Sequence, residues 1–348
     1  MAPLQLPGDR LDQGVVLERV DHRGPRGDYQ RGEGLGRVLL LGDEERIGEE
    51  VGGAFVKLVE EELHDGPMIA ARPDLLIIGG MAVDRLADGS TVAGGSVVHA
   101  ARAMAWSERP LATITAAGAE PEAVLALAAL AALGPSRVHA GEASIRYAIS
   151  GVDGERRLIY EGGASPLVVT ASEIAAINPL AVLIAPIAGE VGSETVRACA
   201  DVPVRVAALQ GWLRGLVPGE AVQALPPRVL DDDLVAALAE LDGLVASNED
   251  LASVARDPSG QLDALRERLG PHPFLVITAG EAGAWLDDAA GGRHHLPVSR
   301  GLGAGSPVGA GDAFAAFLAA ALGGGSAPLA ATRAAMDETA EFLAARSG

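Results

Sequence analysis

The chain has 348 residues, 49% of them hydrophobic, which is enough to bury the core of one large α/β domain or of two smaller ones. Its formal net charge of -20 argues against a broad basic surface for binding nucleic acid or an anionic membrane. An anionic substrate would therefore need a local positive site.

Cysteine content and hydropathy indicate a cytoplasmic protein. Cys199 is the only cysteine, which excludes an internal disulfide bond and a cysteine metal cluster. The longest apolar runs, such as VLALAALAAL at 124–133, are too short to cross a bilayer. The N-terminus lacks the basic and then apolar pattern of an export signal. We expect no membrane insertion and no nucleic-acid partner.

The first 73 residues form an N-terminal extension. Residues 1–36 are rich in Gly, Arg, Asp and Pro without apolar periodicity, which indicates a loose or partner-dependent arm. RVLLLG at 37–42 predicts a strand, the helical spacing of apolar residues at 44–63 predicts a helix, and 64–73 is interpreted as a linker. The extension could extend a sheet, mediate dimerisation or carry regulation, so a monomer and a homodimer both stay open.

From residue 74 onward, short apolar runs alternate with helical segments, a pattern typical of a mostly parallel sheet covered on both faces. The apolar runs predict strands within 74–80, 110–118, 180–187, 203–209, 243–248 and 273–280. Helices are predicted near 95–106, 120–133, 191–200, 232–241 and 261–268.

One segment departs from this alternation. ASIRYAIS at 143–150 and RRLIYE at 156–161 flank a Gly-Asp turn, which predicts a β-hairpin. Together with MAVDRLADGSTV at 81–92, the hairpin would build a small accessory sheet outside the main one. We expect this sheet, formed from about 81–93 and 143–161, to cover a pocket.

SPVGAGDAF, which runs into the apolar series AAFLAAAL, places two glycines and one carboxylate at the start of a helix. The backbone N–H groups of Gly309, Ala310 and Gly311 can converge on an anion there. Asp312, in the first turn, could accept the proton of an alcohol as its oxygen attacks phosphorus. These residues alone leave a second interpretation open, in which the glycines form a turn and Asp312 only caps the helix.

SPVGAGDAFAAFLAAAL at 306–322 resembles the C-terminal signature of the ribokinase-like, or PfkB, carbohydrate kinases. TVAGGSVVHAARAMA at 91–105 resembles the first signature of that family, and VITAGEAGAWL at 276–286 resembles its nucleotide-side strand and turn. The resemblance covers roughly residues 74–348. It implies a kinase domain with a three-layer α/β/α fold, a mostly parallel central sheet and a small β lid.

The resemblance also implies where the phosphate donor, ATP, would bind. It assigns an anion hole to Gly309, Ala310 and Gly311 and the general base to Asp312. Thr278, Gly280, Gly283 and Asn248 would lie beside the nucleotide, and Asn248 with Glu249 would hold Mg²⁺. The family's second acid is missing at its expected place, where the sequence continues Asp250-Leu251.

On the acceptor side, the resemblance assigns Asp84 to paired substrate hydroxyls, because a carboxylate accepts hydrogen bonds without donating. Gly94 and Gly95 would let the backbone pass close to a sugar or cyclitol. His99 stands where many family members carry a substrate-binding asparagine, and its alternative role is structural.

Finer similarity points to the myo-inositol kinase branch. SIRYAISGVDGERRLIYEGGASPL at 144–167 resembles the lid hairpin and exit of that branch, and QGWLR at 210–214 resembles its Gln-Gly-aromatic-aliphatic-Arg turn. This similarity makes Gln210 and Arg214 candidate substrate contacts, with a surface salt bridge as the alternative for Arg214. The expected reaction is ATP-dependent phosphorylation of a small polyol, favouring myo-inositol or a related cyclitol.

Two alternatives accompany this prediction. One is a sugar or nucleoside kinase of the same family, since pocket residues rather than the fold decide the acceptor. The other is a catalytically weak regulatory protein that binds a ligand on the same scaffold. Ser306 and Val308 support this second alternative, because the family usually has an acidic residue and a threonine there. That departure puts activation by a monovalent cation in doubt.

Overall fold

A computed structural model gives the fold of most of the chain. It describes residues 72–152, 155–288, 290, 292–298 and 308–346, together with two short N-terminal strands, β1 (Val16–Leu17) and β2 (Val38–Leu39). These two strands pair antiparallel, and β2 lies within the strand predicted at 37–42. The remainder of the predicted arm, the helix at 44–63 and nearly all of the linker lie outside the described residues.

The other strands and the helices alternate along the chain. The strands are β3 (Leu75–Gly79), β4 (Ala82–Arg85), β5 (Thr91–Gly94), β6 (Leu111–Ala117), β7 (Ser136–Ala140), β8 (Ile145–Val152), β9 (Glu155–Gly162), β10 (Ala181–Ala185), β11 (Val204–Ala208), β12 (Arg214–Gly215), β13 (Gln223–Ala224), β14 (Gly243–Ser247), β15 (Phe274–Thr278), β16 (Ala284–Asp287) and β17 (Arg293–Leu296). The helices are α1 (Ser96–Trp106), α2 (Pro121–Ala131), α3 (Ala171–Ile177), α4 (Ser193–Ala198), α5 (Asp232–Leu238), α6 (Pro258–Leu269), α7 (Ala310–Gly323) and α8 (Pro328–Ala345).

A nine-stranded sheet forms the centre of the fold, in the order β17-β16-β15-β14-β11-β10-β3-β6-β7. The strands from β15 to β7 in this order pair in parallel. The antiparallel hairpin of β16 and β17 completes the other edge. In such a sheet the carboxyl ends of the parallel strands share one edge, where ligands gather.

Side chains of the central strands alternate between two cores. Along β3, Leu75 and Ile77 face one core while Leu76 and Ile78 face the other, and all four are fully buried. The first core contains residues of α1, α2, α7 and α8, and the second contains residues of α3, α4, α5 and α6. The molecule therefore has three layers, and α7 crosses the middle of one face with Phe317 completely buried.

A separate four-stranded sheet, in the order β5-β4-β8-β9, lies outside these layers. This sheet is the lid, and the loop between β12 and β13 extends it along β9. The Tyr160 N–H donates to the Glu220 carbonyl at 3.0 Å, and the Val222 N–H donates to the Leu158 carbonyl at 2.9 Å. The chain that leaves β11 therefore reaches the outer edge of β9.

The structure confirms the predicted fold class, and each strand and helix predicted beyond residue 74 coincides with an observed element. The hairpin and the 81–92 segment form the lid sheet as expected. The elements that were not predicted are β7, β12, β13, β16, β17, α3 and the long C-terminal helix α8. Within the described part of the chain, no helix has both the length and the apolarity to cross a membrane.

Candidate active site

The pocket between the central sheet and the lid has a volume of about 210 Å³. It lies beyond the carboxyl ends of β10, β11, β14 and β15, and the N-termini of α1 and α7 open into it. Four elements that are distant in sequence thus contribute to one cleft, as expected for an open parallel sheet.

The N-terminus of α7 forms one wall of this pocket. Gly309 precedes the helix with φ 81°, a left-handed conformation that glycine adopts without strain. A Cβ atom on Gly311 would meet no atom within 4 Å, so its backbone faces open space. Unpaired N–H groups and the helix dipole make this end of α7 suitable for a phosphate group.

Asp312, in the first turn of α7, is half-buried and lines the pocket. Its Oδ1 atom accepts a hydrogen bond from Nε2 of Gln210 at 3.0 Å. Nε2 of Gln210 also donates to the hydroxyl of Ser96, the first residue of α1. The Gln210 amide therefore joins the N-termini of α1 and α7.

Asp84 faces the pocket from strand β4 and is only 5% exposed. Glycine is required opposite it, since a Cβ atom on Gly94 would overlap Oδ2 of Asp84. Gly95 has φ 86°, and a Cβ atom there would lie 2.6 Å from the carbonyl oxygen of Gly80. The two glycines let β5 turn into α1 directly beside the carboxylate.

The loop after β10 supports the lid side of the pocket. The buried carboxylate of Glu190 accepts hydrogen bonds from the backbone N–H groups of Ile187 and Ala188, and its burial raises its pKa above the ordinary value. The Ile187 carbonyl in turn accepts a hydrogen bond from the Tyr147 hydroxyl at 2.7 Å. Burial also raises the pKa of Tyr147, so this hydroxyl acts as a donor at neutral pH.

Positive charge near the pocket comes from arginines. Arg214 lines the cavity, and Nη1 of Arg346 donates to the Val308 carbonyl at 3.1 Å, just before the start of α7. Burial lowers the pKa of Arg102, and the nearby charge of Arg346 lowers it further. An overall acidic chain therefore has a local cationic region on one side of the α7 N-terminus.

The end of β14 and the turn after it contribute Ser247, Glu249 and Asp250 to the pocket lining. Asp250 accepts hydrogen bonds from the backbone N–H and the hydroxyl of Ser247 through Oδ2, at 3.0 and 2.8 Å, so it braces the turn. Glu249 is exposed and lines the pocket. Mg²⁺ commonly uses one or two carboxylates together with substrate phosphates, and Glu249 fits that requirement. No cluster of three or more acidic, His or Cys ligands occurs among the described residues.

Most of the residues predicted from sequence lie together. Those lining the pocket are Asp84, Gly95, His99, Gln210, Arg214, Glu249, Thr278, Gly309, Gly311 and Asp312. Those outside the lining are Gly94, Asn248, Gly280, Gly283 and Ala310.

Two of the residues outside the lining make contacts that hold the local backbone in place. The Asn248 carbonyl accepts a hydrogen bond from Nε2 of Gln261 at 3.0 Å. A Cβ atom on Gly283, which has φ 91°, would overlap the carbonyl oxygen of Leu296, so glycine is needed for the turn between β15 and β16.

Sequence reasoning missed several lining residues: Ser96, Tyr147, Leu158, Ile187 and Ser247. Ser96 follows the Gly-Gly pair directly, so its position beside the pocket was open to prediction. Ile187 contributes a backbone carbonyl, and a side-chain pattern carries no signal for that role.

Solved structures of known kinases share this fold. A pyrophosphate-dependent kinase of the ribokinase family, in complex with a pyrophosphate analogue and myo-inositol, aligns with TM-score 0.62 and 20% identity over 78% of this chain and 95% of its own. A pyrophosphate-dependent myo-inositol-1 kinase converted into a myo-inositol-3 kinase has TM-score 0.61 and 19% identity, over 77% and 92%. Ribokinase from Arabidopsis thaliana, in complex with ribose and ATP, has TM-score 0.60 and 16% identity, over 79% and 93%.

Of the two sequence comparisons, only the one with protein families finds a match. No curated protein sequence is significantly similar to the chain. Residues 69–337, well over half of the chain, match the pfkB family carbohydrate kinase domain. Family, fold and the enzyme class of carbohydrate or polyol kinase are thereby established, and the chain belongs to the pfkB family of carbohydrate kinases.

Proposed function

We propose that the protein transfers a phosphoryl group from ATP to a hydroxyl of a small polyol, with myo-inositol or a related cyclitol as the favoured acceptor. One observation carries this proposal: Asp312 and the open N-terminus of α7 share a pocket with the buried carboxylate of Asp84. A proton acceptor, an anion site and a polyol-binding carboxylate are the parts that the reaction requires.

In the proposed mechanism, Asp84 accepts hydrogen bonds from hydroxyls of the acceptor and orients it. The reacting hydroxyl lies at Asp312, which takes its proton as the acceptor oxygen bonds to the γ-phosphorus. The bond between that phosphorus and the leaving diphosphate oxygen breaks in line. Backbone N–H groups of Gly309, Ala310 and Gly311 stabilise the charge on the transferring group.

Mg²⁺ would be held by Glu249 and by the polar Asn248 beside it, together with donor phosphates. The bound ion would neutralise phosphate charge during transfer. Thr278 lines the pocket, and Gly280 and Gly283 belong to the turn that follows β15. These three residues would lie beside the nucleotide.

The lid would exclude water from the reacting groups, since water competes with the acceptor hydroxyl for the phosphoryl group. Tyr147 supports this role, because it lies on lid strand β8, lines the pocket and is hydrogen-bonded to the loop after β10.

Pyrophosphate is a second candidate donor. Two of the structurally similar kinases named above use pyrophosphate, and a third structure contains ribokinase with ATP. The anion site at Gly309–Gly311 accommodates either donor, because both present a terminal phosphate.

An acceptor panel tests the proposal. Purified protein is incubated with myo-inositol, ribose, fructose or adenosine, each with ATP or pyrophosphate and Mg²⁺, and phosphorylated product is quantified. We expect the highest kcat/KM with myo-inositol or another cyclitol. Turnover of ribose or adenosine without inositol would contradict the acceptor, and absence of turnover with every pair would favour a ligand-binding regulatory protein.

A further inference from the structure

We propose that Arg214 is a positioning residue for phosphoryl transfer: through Gln210 it fixes the orientation of the Asp312 carboxylate. The inference rests on the proposed function, in which Asp312 is the general base. It assigns Arg214 and Gln210 a role different from the direct substrate contact expected from sequence.

Hydrogen-bond chemistry determines which way the Gln210 amide points. Nη2 of Arg214 lies 3.0 Å from Oε1 of Gln210, and a guanidinium group can only donate. The amide oxygen must therefore face Arg214, and the NH₂ group must face Asp312 and Ser96. Without Arg214, the amide could rotate by half a turn and present its oxygen to the carboxylate, which would repel it.

The turn that carries these two residues is held rigidly. Trp212 is buried, and its indole N–H donates to the Val191 carbonyl at 2.7 Å. A Cβ atom on Gly211 would overlap the Pro186 carbonyl, so the backbone there is in close contact with the loop after β10. Gln210 and Arg214 consequently project from a fixed backbone, and their side chains set the geometry.

The position of Arg214 is linked to the lid. Its Nη1 lies 3.5 Å from the Ile187 carbonyl oxygen, which also accepts a hydrogen bond from the Tyr147 hydroxyl. A chain of contacts thus runs from Tyr147 on β8 through the Ile187 carbonyl, Arg214 and Gln210 to Asp312. The segment after Arg214 then pairs with lid strand β9. The lid and the proposed base therefore share one set of contacts.

Within the described part of the chain, the second carboxylate oxygen of Asp312 has no protein hydrogen bond, while Oδ1 is held by Gln210. Fixing one oxygen directs the other to the acceptor hydroxyl. Small errors in such alignment are costly, since a displacement of about 1 Å at a reacting group can reduce the rate on the order of 100-fold.

Steady-state kinetics separate positioning from substrate binding. For Arg214→Met and Gln210→Met, we expect kcat to fall roughly 10- to 100-fold, with the KM of acceptor and donor changed less than about twofold. Arg214→Lys should recover part of kcat, since an ammonium group still donates to Oε1. Arg205→Met is the matched control: Arg205 lies at the other end of β11, pairs with Asp242, and should leave both constants unchanged. A large rise in either KM with kcat retained would overturn the proposal.

A crystal structure of Arg214→Met provides a test that does not require activity. The expected result is loss of the hydrogen bond between Gln210 Nε2 and Asp312 Oδ1, with the fold unchanged. If that hydrogen bond persists without Arg214, the positioning role is wrong. If the wild-type protein phosphorylates no acceptor, the proposed function fails, and the crystal structures of wild type and variant still decide whether Arg214 orients the amide.

Discussion

Gly309 lies directly against the ring of His99, and a Cβ atom on Gly309 would be 2.6 Å from Cγ of the histidine. With φ 81°, the position also has a backbone conformation that favours glycine. Two residues later, a Cβ atom on Gly311 would meet nothing within 4 Å. The two glycines of GAGD are therefore required for different reasons.

Alanine substitutions should separate these reasons. Gly309→Ala should lower the free energy of unfolding by about 1–3 kcal/mol, since a left-handed alanine is strained and overlaps His99. Gly311→Ala should fold at least as well, with up to about 1 kcal/mol gained from helix propensity, and should lose most activity because its methyl group occupies the phosphate position. Denaturant unfolding and kcat measure the two effects, and an active Gly311→Ala enzyme would contradict the anion-hole assignment.

Gly94→Ala should weaken acceptor binding. The new methyl group overlaps Oδ2 of Asp84 and must displace the carboxylate from the pocket. We expect the acceptor KM to rise at least about 10-fold, corresponding to about 1.4 kcal/mol, while the donor KM stays within twofold. Gly192→Ala is the control, because a Cβ atom there meets no neighbour within 4 Å. An unchanged acceptor KM in Gly94→Ala would count against Asp84 as the polyol ligand.

Glu249→Gln should raise the Mg²⁺ concentration needed for half-maximal rate. The carboxylate is exposed at the pocket, and its neutral amide is a poorer ligand for a hard divalent cation. We expect a shift of about 10-fold and partial recovery at high Mg²⁺. Glu240→Gln, at an exposed position after α5, serves as the control. Identical Mg²⁺ curves for the two variants would remove Glu249 from the metal site.

Cys199 should react with thiol reagents only when the protein unfolds. It is fully buried, its thiol donates to the Thr195 carbonyl, and burial raises its pKa to about 12. The folded thiol therefore keeps its proton where an unfolded thiol, with an ordinary value near 9.0, loses it. Its contribution to stability is complete below pH 9 and falls as the pH rises toward 12. Rapid native-state labelling at pH 8.5, measured by mass spectrometry, would contradict this burial.

Local sequence patterns sufficed for most of the fold. Fully apolar runs such as LLIIG of β3 gave the buried parallel strands, and the glycines at 94 and 95 marked the start of α1. β7, SRVHA, escaped prediction because it lies at the sheet edge with half-exposed, polar-rich residues and lacks an apolar run.

The site was predictable to the extent that its residues belong to compact motifs. Asp312 and its glycines are contiguous, so their shared position at the start of α7 was predictable from sequence, and the family resemblance suggested their roles. The Gln210 contact with Asp312 joins residues 102 positions apart, and the role of Ile187 belongs to its backbone carbonyl. Neither relationship follows from local sequence, because both depend on how β10 and β11 lie beside α7.

The most direct test of the account is ³¹P NMR of wild-type protein and Asp312→Asn with Mg²⁺, myo-inositol and ATP or pyrophosphate. With one of these two donors, the wild-type protein should transfer a phosphoryl group to myo-inositol and form a phosphate monoester. Asp312→Asn should form the ester roughly 10²- to 10⁴-fold more slowly, since it removes the general base, while its donor affinity by calorimetry is largely retained. Asp201→Asn, an exposed control, should match wild type. Ester formation by Asp312→Asn at the wild-type rate would contradict the account.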